Sequence, residues 1–280
     1  MITLDDYKNL IDLKSTLKSD IVLTNKEKEE VVNRLLEIIS QNFRVKIPQN
    51  ANYNQKRDLL WGLLNQIPPF DFGEEFFALQ NKLLSSERNE NKIVTLEDLS
   101  FKNSIGIFQG DITTLAVDAI VNAGNKKLLG CFVPHHKCID NIIISRGGFQ
   151  IRNDLNKLMH LQGHDEPNGN AKITNGYNLP SKYIIHTVGP CIWGQLTEKD
   201  KNDLANCYIS SLNLAKKMEL KSIAFCCIST GEFRFPNDQA CIIAVESVKK
   251  WLKENNYSIK VIFNVFKDLD RSFYERKLLR

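Results

Sequence analysis

The spacing of apolar positions divides the chain near residue 97. From residue 1 to about 95, apolar side chains recur at three- and four-residue intervals, which is the period of one helix face. Leu10, Leu13 and Leu17 mark a first helix. Thr24 and Glu27 have capping-box spacing and open a second, KEKEEVVNRLLEIISQNF. Leu59, Leu60, Leu63 and Leu64 mark a third, which should end near Pro68 and Pro69, because proline lacks an N–H and disfavours helix at the preceding residue. Phe76, Phe77, Leu79, Leu83 and Leu84 mark a fourth, and the polar SSERNENK that follows reads as a linker.

After residue 98 short β-rich runs replace the helical period: SIGIFQ, VDAIVN, KYIIHTV, SIAFCCI and KVIFNVF. Amphipathic stretches, KDKNDLANCYISSLNLAKKM and NDQACIIAVESVKKWLKE, separate the last three, and DLDRSFYERKLL reads as a closing helix. Strand–helix–strand alternation implies right-handed crossovers and a largely parallel sheet covered on both faces. In such sheets ligands bind beyond the carboxyl ends of the strands. The expected organisation is therefore a helical segment over 1–97 and an α/β domain over 98–280.

Composition narrows the function classes. With 42% hydrophobic and 25% charged residues among 280, the chain can bury a sizeable core. A net charge of +4, without a run of five basic residues, gives no footprint for nucleic acid. The start, MITLDDYKNL, lacks the basic and apolar regions of a signal peptide, and no run of about 18 apolar residues follows. A cytoplasmic protein without a membrane partner is expected. Seven cysteines, an odd number, favour free or metal-bound thiols over disulfides.

Four loops carry candidate chemistry. In QGDIT, residues 109 to 113, Asp111 can accept from an amino group or hydroxyl, although Gly-Asp is also a common turn. In VNAGN, Asn122 and Asn125 offer donor and acceptor together, as a ribose diol requires, beside small residues that admit a ligand. The third loop, LLGCFVPHHKCIDN, brings Cys131, His136 and Cys138 within eight positions. Thiolate and imidazole are preferred zinc ligands, and three would leave a fourth position open. Adjacent histidines rarely point the same way, which leaves His135 out, and spacing alone leaves two free cysteines as the rival reading. The fourth, CISTGEFRFP, can expose the N–H groups of Ser229, Thr230 and Gly231 as an anion-binding nest. Neither a Walker loop nor G-x-G-x-x-G is present, which disfavours triphosphate hydrolysis and Rossmann-type dinucleotide binding.

In this order the four loops resemble the macrodomain family, with AKITNGYNLPSKYIIHTVGP and VIFNVFKDLDRSFY as further similar segments. Gly130, Cys131, His136, Cys138, Ile139, Asp140 and Asn141 resemble the zinc-containing subfamily, which also carries a helical N-terminal extension. The resemblance implies a three-layer α/β/α macrodomain with a mixed, largely parallel central sheet. It implies a hydrolase that removes mono-ADP-ribose from proteins with bound Zn2+, or alternatively a reader module with a structural zinc. Some members are encoded beside a sirtuin-like transferase and a lipoyl-carrier protein, which are the implied partners.

Carried over by position, Asp111 and Ile112 would hold adenine, Phe266 or a nearby residue of the last strand would pack on its ring, and Ser229, Thr230, Gly231, Glu232 and Phe233 would cradle the diphosphate. Asn122 and Asn125 would face the second ribose, with Cys131, Ile139 and Asp140 beside it. Asn125 and Asp140 are the implied catalytic residues, and Cys131, His136 and Cys138 the metal ligands. Four positions depart from the subfamily: Gly124 replaces alanine, Ile144 replaces histidine, and Arg146 with Gly147 replaces a pair such as Phe-Ala.

Overall fold

The β-rich runs pair into one seven-stranded sheet. The structure is a computed structural model describing residues 1–14 and 18–279. The strands are β1 (Phe101–Lys102), β2 (Ile105–Gln109), β3 (Ala119–Ala123), β4 (Ala171–Asn175), β5 (Tyr183–Thr187), β6 (Ser222–Phe225) and β7 (Lys260–Val265). Their order is β1-β2-β7-β6-β3-β5-β4. The five central strands run parallel, and β1 and β4 are antiparallel edges. Neither edge strand stood out in the hydrophobic pattern: β1 is two residues long, and β4 includes the polar Lys172, Thr174 and Asn175.

The helices are α1 (Leu4–Tyr7), α2 (Asn25–Phe43), α3 (Tyr53–Gln66), α4 (Glu74–Asn89), α5 (Ile139–Gly147), α6 (Gln150–Gln162), α7 (Glu198–Lys217), α8 (Asn237–Asn255) and α9 (Asp268–Leu279). Helix α8 packs on α7 and α9, which pack on the sheet, and α5 and α6 pack on β3 and β4, giving a three-layer α/β/α arrangement. Central strands are mostly apolar, as burial on both faces requires: every residue of β5 and β6 is buried.

Helices α2, α3 and α4 precede the sheet and have a core of their own, with Val32, Leu35, Leu36, Ile39, Leu60 and Phe76 at its centre and Phe149 entering from the α/β domain. The capping box at α2 is formed: Thr24 N donates to Glu27 Oε2 (2.8 Å), and Glu27 N donates to Thr24 Oγ1 (3.3 Å). Helix α3 stops at Gln66, two residues before the prolines.

Two sequence expectations change. SSERNENK is not wholly a linker, because α4 continues to Asn89. Ser85 Oγ donates to Asn178 Oδ1 (3.2 Å) and Arg88 donates to the Asn178 carbonyl (3.1 Å), and these tertiary contacts hold the polar turn helical. At the N-terminus the helix is α1 alone. It ends at Tyr7 and a turn follows, with Asp12 in the left-handed region, and Leu17 lies outside the described residues. This segment covers the β4 edge, where Ile173 N donates to Tyr7 Oη (2.9 Å), and Leu4, Tyr7 and Ile11 join the core of the sheet. No helix among the described residues is long and apolar enough to cross a membrane.

Candidate active site

Parallel pairing of β2, β7, β6, β3 and β5 sends their carboxyl ends to one edge of the sheet, and all four candidate loops begin there. Asp111, just beyond β2, caps a 3-10 turn over Ile112–Thr114: Thr113 N and Thr113 Oγ1 both donate to Asp111 Oδ1, at 2.9 and 2.6 Å. Its second oxygen pairs with Arg146, in the last turn of α5, which also donates to Thr113 Oγ1 (2.6 Å). Arg146, a departure noted in the sequence, thus reaches the loop implied to hold adenine. Phe266 follows β7, the neighbour of β2, and is 77% exposed.

At the end of β3, Asn122 is buried. Its Nδ2 donates to Asp140 Oδ1 (2.8 Å) and lies 3.2 Å from His186 Nδ1 on β5. With that nitrogen facing a donor, the imidazole proton belongs on Nε2, which lies 2.9 Å from Thr174 Oγ1 on β4. Burial holds the His186 ring neutral, at about 3. The result is a buried polar chain running from Asp140 through Asn122 and His186 to Thr174. The sequence did not reveal His186, because a single histidine in KYIIHTV reads as core. Asn122 Oδ1 is buried without a hydrogen-bond partner among the described residues.

Asn125 folds the start of the third loop, donating from Nδ2 to the Gly130 carbonyl (3.1 Å) and accepting from Lys127 N (3.0 Å). An alanine methyl at Gly124 would meet its neighbours at 3.4 Å or more, so either residue fits there. Gly130 has φ +83°, and a Cβ would fall 2.4 Å from the buried Ile144 Cδ1. Ile144 therefore forms the apolar seat under the loop.

Cys131 Sγ lies 3.3 Å from His136 Nδ1, and the ligand atoms of Cys131, His136 and Cys138 all lie within 4.8 Å of one another. Tetrahedral zinc, with bonds of about 2.3 Å to sulfur and 2.0–2.1 Å to nitrogen, places its ligand atoms roughly 3.5–3.8 Å apart. Small side-chain movements would therefore bring the cluster onto a metal, and the two-thiol, one-imidazole donor set suits one. His135 turns away, with its Nε2 2.9 Å from the Asp58 carbonyl on α3.

Cys138 is the N-cap of α5, its Sγ accepting from Asn141 N (3.4 Å). Asp140, two residues on, is therefore not the cap. It is 6% exposed, and burial pushes its carboxyl up to about 6 against the lowering effects of Asn122 and Arg152. Ile139 begins α5 beside it.

In the fourth loop Ser229 (φ +65°) turns the chain, and Phe235 N closes the turn on the Ser229 carbonyl (2.9 Å). The N–H groups of Gly231, Glu232 and Phe233 have no intramolecular hydrogen bond among the described residues and stand just before α8, whose positive dipole end favours an anion. Glu232 Oε1 also approaches His136 Nε2 (3.6 Å), joining the nest to the thiol–imidazole loop.

A parallel sheet whose carboxyl edge gathers an aspartate, buried asparagines, a thiol–imidazole cluster and an open N–H nest defines a ligand-binding α/β domain. Residues 121–244 match the family model described as Macro domain. A protein-ADP-ribose hydrolase of Treponema medium is 44% identical over 260 residues, covering 91% of this chain and 99% of that protein. A protein-ADP-ribose hydrolase of Staphylococcus aureus is 47% identical over 233 residues, covering 82% and 87%. Among solved structures, a mutant of the Oceanobacillus iheyensis macrodomain with ADPR is 36% identical with a TM-score of 0.59, covering 65% of this chain and 96% of that one. The chain belongs to the macrodomain family.

Proposed function

We propose that this protein is a zinc-dependent hydrolase that removes mono-ADP-ribose from modified proteins, with residues 98–280 as the catalytic macrodomain and 1–97 as a helical extension. The observation that carries the reading is the convergence of Cys131, His136 and Cys138 beside the buried Asp140 at the carboxyl edge of the sheet. The two hydrolases that match most of the chain support it.

The adenine end lies at Asp111, Ile112 and Phe266. The free N–H groups of the Ser229–Phe233 loop take the diphosphate, leaving the second ribose against Asn122, Asn125, Cys131, Ile139 and Asp140. Cys131, His136 and Cys138 would hold a zinc ion, which would supply Lewis acidity at this end of the site. Cleavage at the anomeric carbon develops oxocarbenium-like charge. Asp140 faces that charge and accepts the proton of the attacking water at its carboxylate. Asn122 fixes the Asp140 carboxylate, and Asn125 fixes the loop against the ribose. A purely non-catalytic reader needs no buried carboxyl next to an incomplete metal coordination set. A lipoyl-carrier protein and a sirtuin-like transferase are the partners that the family resemblance implies.

The test is release of ADP-ribose from a mono-ADP-ribosylated protein. Turnover should be lost after chelation and restored by Zn2+. Unchanged turnover in metal-free protein would exclude the zinc role, and binding without turnover on aspartate-, glutamate- and serine-linked substrates would make the protein a reader.

A further inference from the structure

Helix α3 lies outside the α/β domain, yet it forms a wall of the thiol–imidazole loop. Trp61 Nε1 donates to Asn141 Oδ1 (3.2 Å) and Ser145 Oγ (2.9 Å), both on α5. Asn141 in turn fastens two parts of the ligand-bearing stretch. Its backbone N donates to Cys138 Sγ (3.4 Å), and its Nδ2 donates to the Val133 carbonyl (3.1 Å), which also accepts from His136 N (3.3 Å). One turn further along α3, Asn65 Oδ1 accepts from His135 N (3.0 Å) and its Nδ2 donates to Ser145 Oγ (3.1 Å).

The approach is close. The His135 ring stands edge-on to Trp61, and a Cβ on Gly62 would fall 2.6 Å from His135 Cε1. From the other side the buried Arg152 ties the C-terminal end of α3 to the loop. It donates to the carbonyls of Leu64 (2.6 Å) and Ile67 (2.7 Å) and, from Nε, to that of Leu129 (2.8 Å), and its guanidinium lies 4.5 Å from the Phe132 ring centroid. Arg152 thereby satisfies two carbonyls at the end of α3, where the helix leaves acceptors unpaired.

We propose that the N-terminal helices are a built-in support for the metal loop, in which Trp61, Asn65 and Arg152 act as positioning residues that set metal affinity and turnover while leaving ADP-ribose recognition alone. This rests on the zinc reading above. The physical basis is that outer partners fix the orientation of ligand side chains, and their loss commonly costs ~10–100-fold in metal affinity or activity. None of the three residues lies in the loops assigned to adenine or diphosphate. Their hydrogen bonds converge instead on Leu129, His135, Asn141 and Ser145, which bracket the three ligands in sequence.

The experiment uses the full chain, with Zn2+ as the metal probe and free ADP-ribose as the ligand. Trp61→Phe keeps an aromatic ring on α3 and removes the N–H, and Asn65→Ala removes the second anchor. Arg34→Ala, which breaks a surface pair with Glu75 in the same helical unit, is the control. Zinc affinity by chelator competition, ADP-ribose affinity by calorimetry, kcat and circular dichroism are measured on each. Trp61→Phe and Asn65→Ala should each bind zinc about tenfold or more weakly and lose kcat in proportion. ADP-ribose affinity should stay within about twofold of wild type, and Arg34→Ala should change nothing. Wild-type zinc affinity in both anchor variants would overturn the proposal, as would a parallel loss of ADP-ribose binding, since that marks general destabilisation. Failure of the zinc reading itself would appear differently, as wild-type protein that binds no zinc.

Discussion

Replacing His186 with glutamine should make the protein less sensitive to acid. His186 is fully buried between Asn122 and Thr174, and burial lowers its pKa from 6.5 to about 3. The folded-state value lies below the unfolded one, so between these pH values the unfolded chain binds a proton that the folded chain does not. The associated stability is complete above pH 6.5 and falls as pH drops towards 3. At pH 5 the unfolded state gains about 1.5 pH units of protonation, roughly 2 kcal/mol. The carboxyl of Asp140 contributes with the opposite sign near its value of about 6, but it is common to both proteins and largely cancels in their difference. The assay is urea unfolding of metal-stripped wild type and His186→Gln at pH 8 and pH 5. Wild type should be the more stable at pH 8, because the variant loses the fitted imidazole. That advantage should shrink by about 2 kcal/mol at pH 5. A difference that stays constant to within about 0.5 kcal/mol would refute the account of a neutral, acid-excluding histidine.

Asp111→Ala should weaken ADP-ribose binding strongly in calorimetry, whereas Asp165→Ala, which breaks only a surface pair with Lys127, should leave it unchanged; equal affinities would show the adenine end to be misplaced. Lys172→Met should cost about 3–5 kcal/mol in urea unfolding, because it leaves the fully buried Glu166 carboxylate unpaired, and a cost under about 1 kcal/mol would contradict that.

The sequence was most informative where a local rule and the tertiary packing agree. The Thr24–Glu27 box, the prolines after α3 and the five apolar runs all required the elements found, because capping, missing N–H groups and burial on both faces act locally. The candidate loops were legible for a related reason, since each begins where an apolar strand ends. Long-range anchoring was not legible. Arg146 reaches Asp111 across 35 positions, and Arg152 reaches Leu64 across 88. A lone arginine in an amphipathic stretch gives no sign that its guanidinium is buried. SSERNENK misled because part of its polarity is satisfied by distant partners, Asn178 among them.

The central claim is that the thiol–imidazole loop is catalytic rather than structural, and timed loss of label from a mono-ADP-ribosylated protein, comparing wild type with Cys138→Ala, tests it most directly. Metal content is read by elemental analysis, and folding by circular dichroism. Loss of the Cys138 cap should cost the fold no more than about 1 kcal/mol. The account predicts one zinc per wild-type chain, a folded variant that has lost zinc, and turnover reduced to background while free ADP-ribose still binds. A folded, zinc-free Cys138→Ala protein with wild-type turnover would contradict it.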